Sequence, residues 1–134
     1  MIGLVSVRAF PIRTIVCWTL SLFFLAAGYA HFAQTDAFAA IVPPSVPFKR
    51  AVVQLTGAME IIFALGLIVR KWRRHTGWAL AAFLLAVLPA NVYMALEGMP
   101  LGSLDTPVAL WGRVALQFPL IALVLWCSGA WPRR

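Results

Sequence analysis

Four long apolar runs, separated by polar or proline-rich stretches, set the pattern of this chain: residues 14–32, 51–69, 76–96 and 108–127. A helix rises about 1.5 Å per residue, so runs of this length match a hydrocarbon core about 30 Å thick. The pattern predicts an all-α fold, a four-transmembrane-helix bundle, with residues 1–134 forming a single membrane domain. Between the first two runs, Pro43, Pro44 and Pro47 impose an extended path, because each fixes φ and lacks a donor. Ahead of them, Thr35 and Asp36 are placed to cap a short interfacial helix over 37–42, and Lys49 and Arg50 close the loop at the membrane edge. Residues 70–75 read as a tight basic turn with Trp72 at headgroup level. Residues 97–107, with Gly98, Pro100, Gly102 and Pro107, read as a turn-rich connection.

Composition strengthens this picture. The chain is 63% hydrophobic and 11% charged, against about 25% charged in average soluble domains. It is expected to be an integral membrane protein. A secretory signal peptide has to be weighed for the first run, since Arg8 and Arg13 precede it and Gly28-Tyr29-Ala30 resembles a cleavage site. The run is longer than a usual signal core and more membrane follows, so the span is expected to be retained. The net charge of +7 does not indicate a nucleic-acid partner, because the basic residues flank apolar runs instead of forming a patch with interleaved aromatics.

Those flanking charges orient the chain. The N-terminal segment, the 70–75 turn and the tail carry two, four and two Lys or Arg residues, whereas the opposite connections carry only Lys49 and Arg50, with Asp36, Glu97 and Asp105. The positive-inside rule then places both termini in the cytoplasm. Cys17 and Cys127 lie far apart and belong to no Cys-x-x-Cys pair, so they are expected to be small apolar packing residues, with no disulfide, zinc or thiol-redox motif. His31 and His75 fall on opposite sides, which disfavours haem ligation.

The candidate chemistry is a polar layer inside the apolar runs. Gln54 lies about 5 Å, and Glu60 about 13 Å, below the outer end of the second span. Asn91 and Arg113 lie about 7 Å, and Gln117 about 13 Å, below the outer ends of theirs, with His31 at the outer end of the first. Thr56 shares a helix face with Glu60, and Gln117 with Arg113, each pair being four residues apart. Pro89 and Pro119 each free a backbone carbonyl near this layer for a neighbouring donor. A lone membrane carboxylate costs at least a few kcal/mol, so Glu60 is expected to pair with Arg113, with Gln117 and Asn91 around them. The pair can serve a ligand, or fix helix register with no ligand at all. No catalytic set, metal cluster or phosphate loop is present, so the chain does not read as an enzyme on its own.

GYAHF at 28–32, VPPSVP at 42–47, LTGAMEI at 55–61, LPANVYMA at 88–95 and RVALQ at 113–117 together resemble the DoxX-like family of small membrane proteins. RVALQ lacks the proline of the family's Arg-x-Pro-x-Gln form; the proline here is Pro119. The resemblance implies a four-helix bundle of the bacterial inner membrane, in a group with links to quinone reduction and oxidative-stress complexes. It adds an oxidoreductase subunit or a quinone to the expected partners, beside the lipid bilayer and a second copy of the chain. Three functions stand: a redox-associated subunit holding a quinone-like ligand, a small proton-coupled transporter, and a structural or assembly protein. The Lys/Arg asymmetry and the expected occupation of Glu60 by Arg113 weigh against the transporter.

Overall fold

The computed structural model describes residues 11–103 and 105–132. Five helices follow one another: α1 Ile12–Ala33, α2 Thr35–Ala40, α3 Lys49–Ile68, α4 Arg73–Glu97 and α5 Pro107–Ser128. All but α2 are long and apolar enough to cross a membrane, which makes this an all-α, multi-pass membrane fold. Two boundaries differ from expectation. Lys49 and Arg50 form the first turn of α3 instead of ending the loop, and α4 already begins at Arg73 inside the basic segment. Arg8, Arg133 and Arg134, which enter the charge count for orientation, lie outside the described residues.

The bundle shows its large apolar side chains to the outside. Ile15, Trp18, Leu22, Phe23, Leu55, Ile62, Leu85 and Leu116 are each more than half exposed. Water would not tolerate so continuous an apolar surface, whereas lipid tails solvate it. Inside, α1 packs chiefly on α3 and α4 on α5, while α3–α4 and α1–α5 contacts close the ring. One core joins Cys17, Leu20 and Phe24 of α1 to Ala64 and Leu67 of α3, Leu80, Phe83 and Leu84 of α4, and Val124 and Cys127 of α5. A smaller cluster of Ile41, Met94, Ala95, Leu101 and Leu110, with Phe38 and Val114 against it, closes the opposite end. The polar residues lie between these two apolar masses.

The helix ends explain how the chain turns. At α5, the Thr106 hydroxyl accepts from the Ala109 N–H at 3.2 Å and Pro107 occupies the first turn, where its missing N–H is no loss. At α2 the expected Thr35–Asp36 cap does not form. The Thr35 hydroxyl instead donates back to the His31 carbonyl at 2.8 Å and to the Phe32 carbonyl at 3.1 Å, tying α2 onto the end of α1. Asp36 is used elsewhere, in an exposed ion pair with Arg50. At the end of α3, Arg73 Nε donates to the Leu67 carbonyl at 2.7 Å and a terminal guanidinium nitrogen to that of Ile68 at 3.2 Å. A cation on the last carbonyls of a helix satisfies orphan acceptors and opposes the negative end of the helix dipole. Arg73→Ala is therefore expected to destabilise the bundle by about 1 kcal/mol, read as a lower midpoint in denaturing-detergent titration. An unchanged midpoint would show that water or lipid headgroups replace the guanidinium at no loss.

Candidate polar site in the membrane

The site is built on a close approach of two backbones. A Cβ placed on Gly57 would sit 2.6 Å from the His31 Cβ and 3.0 Å from the Gly28 carbonyl oxygen; one on Gly28 would sit 2.7 Å from the Gly57 oxygen. Only hydrogen fits at either position, so α1 and α3 meet there almost backbone to backbone. His31 follows Gly28, and Glu60 follows Gly57, by three residues, about one helical turn. The two helices run in opposite directions and side chains tilt toward their own N-termini, so these two side chains are aimed at each other.

His31 Nδ1 consequently lies 3.2 Å from Glu60 Oε2. The same nitrogen lies 2.8 Å from the Ala27 carbonyl. A single Nδ1 proton serves one acceptor well, and the better-aligned bond goes to the carbonyl. Glu60 Oε2 is left buried with no hydrogen-bond partner. The imidazole is held flat under Phe38 of α2, ring centroids 4.2 Å apart at 21°. Thus α2 roofs the site, and its position explains why the long first connection is more than a linker.

The expected Glu60–Arg113 ion pair does not form. The carboxylate's near neighbour is His31, whose ring is charged only when protonated, and Arg113 forms an ion pair with neither group. The reason is the ring order: α5 packs against α4 and α1, while α3 sits across the bundle. Gln117 is the buried polar residue of α5, 4% exposed. Its Oε1 accepts from Asn91 Nδ2 at 2.8 Å, and its Nε2 donates to the Leu84 carbonyl. Pro89 in α4 removes the helical donor of the next carbonyl, that of Leu85. The Gln117 amide thus reaches the carbonyl one residue before the one Pro89 frees, and not the freed one itself.

Two candidates fall outside the cluster. The Thr56 hydroxyl donates to the Val53 carbonyl of its own helix at 2.8 Å, and Gln54 is exposed on the outer face. The seven candidates therefore divide into a titratable group of His31, Glu60 and Arg113, an amide clamp of Asn91 and Gln117, and two bystanders. Among the described residues no three His, Cys, Asp or Glu side chains converge as a metal site would require. Phe38 is a site residue that sequence reasoning passes over, since nothing in the sequence distinguishes an interfacial aromatic from a ring stacked on a histidine.

The cysteines pack in the apolar core as expected, and the fold also brings them together. Cys17 and Cys127 are both free and buried, and their sulfurs lie 2.9 Å apart between α1 and α5. Separation along the chain argued against a pair, yet both residues sit near the helix ends at the same side of the bundle. Nearness to the start of α1 and to the end of α5 is the sequence feature that brings them level.

No curated protein and no solved structure matches the chain. One family model does match, over residues 20–128, and it is described as a domain of unknown function (DUF8561). This overturns the resemblance to the DoxX-like family, whose short apolar strings recur easily in any four-span bundle, and with it the redox association loses its support. The matched segment runs from the first membrane helix to the last, and the chain belongs to the DUF8561 family.

Proposed function

We propose that this protein is a membrane-embedded binding bundle for a small lipophilic molecule whose polar head both donates and accepts hydrogen bonds, as a quinol-type ring does. One observation carries the reading: Glu60 Oε2 is a buried acceptor without a donor. Such an atom costs about 1–3 kcal/mol unless something supplies a hydrogen. A ligand hydroxyl would donate to it, and Arg113 would donate to a ligand oxygen beside it. The apolar outer face of the bundle suits the rest of such a molecule. In this reading both termini face the cytoplasm, as the Lys/Arg distribution favours. A bacterial inner membrane and an oxidoreductase partner came only with the discarded resemblance, and the proposal needs neither.

The test is photolabelling of the full chain in nanodiscs by a photoreactive hydroquinone analogue, competed by the unlabelled compound. Glu60→Gln exchanges the carboxyl for an amide, and apparent affinity is expected to fall about 10- to 100-fold, the equivalent of about 1.5–3 kcal/mol. Equal, competable labelling of both proteins would overturn the assignment.

The His31–Glu60 contact favours a second reading, a small proton-coupled transporter, since a carboxylate and an imidazole 3.2 Å apart can share and pass a proton. That reading predicts cation uptake into proteoliposomes driven by a proton gradient and abolished by Glu60→Gln, with no quinol-competable labelling.

A further inference from the structure

We propose that Cys17 and Cys127 form a dithiol that hydroperoxides oxidise to a disulfide, covalently joining the first membrane helix to the last. The two sulfurs are 2.9 Å apart, closer than unbonded sulfurs ordinarily pack, with the Cys17 thiol directed at the Cys127 sulfur and the Cys127 thiol toward the Val124 carbonyl at 3.5 Å. A disulfide needs about 2.05 Å, so bond formation asks for a shift of less than about 1 Å between two helices already in contact. Their register is held independently of the sulfurs. The Arg13 guanidinium of α1 lies 5.1 Å over the ring of Trp126, the residue preceding Cys127.

The surroundings select the oxidant. Cys17 is 0% and Cys127 3% exposed, walled by Leu20, Leu80 and Val124. A charged, water-borne oxidant such as a glutathione disulfide does not reach them, whereas a neutral hydroperoxide dissolved among acyl chains does. The step balances in two displacements. One sulfur attacks the outer oxygen of R–O–O–H; the O–O bond breaks, R–OH leaves with the thiol's proton, and a sulfenic acid remains. The second sulfur attacks the first, the S–O bond breaks, and the hydroxyl leaves as water with the second proton. Two thiols lose two electrons and the peroxide gains them. Isolated buried cysteines are usually inert; what distinguishes this pair is a resolving sulfur already in contact.

The experiment uses the full chain in lipid nanodiscs, treated with cumene hydroperoxide, acid-quenched, denatured and alkylated. Both thiols are expected to disappear together, the intact mass to fall by about 2 Da, and a single peptide pair linking Cys17 to Cys127 to appear and be lost on reduction. The oxidised chain should also unfold at higher temperature than the reduced one, a difference absent from the Cys17→Ser/Cys127→Ser protein. Three results would overturn the proposal: sulfinic acid on one cysteine without the cross-link, disulfides only between separate copies, or both thiols retained under peroxide that oxidises the detergent-denatured chain.

Discussion

Gly57→Ala is expected to lower the stability of the folded bundle by about 2–3 kcal/mol, at the upper end of what overpacking a well-fitted interior costs. The added methyl meets the His31 Cβ at 2.6 Å and the Gly28 carbonyl at 3.0 Å, and neither belongs to a flexible side-chain end that can swing aside. Relief requires α1 and α3 to separate. These two helices form the most extensive contact in the bundle, so the shift is felt along their whole length. Separation also breaks the His31–Glu60 approach, so the variant should lose photolabelling by the hydroquinone analogue along with stability. Denaturing-detergent titration followed by tryptophan fluorescence measures the first effect. A midpoint unchanged from the parent would mean that the two helices do not meet at Gly28 and Gly57.

Gln117→Leu ranks second, with an expected loss of about 1–3 kcal/mol. Leucine fills a similar volume, so a cavity contributes little. What is lost is the partner of Asn91 Nδ2 and of the Leu84 carbonyl, both inside the membrane span. Hydrogen bonds between membrane helices average about 0.6 kcal/mol and reach about 1.7, and two are removed together here. The pairing has a specific signature. Asn91→Leu in the Gln117→Leu background should cost less than in the parent, because the amide it removes has already lost its acceptor. Strictly additive losses would show that the two amides do not touch.

Much of the architecture is legible along the chain because it depends on local composition. The four spans coincide with the observed helices to within a few residues, since burying twenty apolar residues across a hydrocarbon slab needs no knowledge of which helix lies next to which. The short helix after α1 was anticipated as well, though its expected Thr35 cap turned out to be a tie back to α1. Counting residues from each span's end gathers the polar residues into one layer, and in the fold His31, Glu60, Asn91, Arg113 and Gln117 fall in sequence between the residues of the two apolar clusters.

What failed to be legible was pairing. Opposite charges within the same half of the span made Arg113 the obvious partner for Glu60, yet depth fixes only one coordinate. The others are the order of helices around the ring and the rotation of each about its axis. Both are set by contacts between helices, here the meeting of Gly28 with Gly57, which turns His31 onto Glu60 and leaves α5 on the far side. The same closing of the ring carries Cys17 to Cys127 across 110 residues of sequence. The sequence by itself determined that this is a four-span membrane bundle with a polar layer, because hydrophobic period and length act residue by residue. Only the tertiary structure decided which polar groups and which sulfurs meet, because side-chain packing between helices, absent from any single segment, chooses their neighbours.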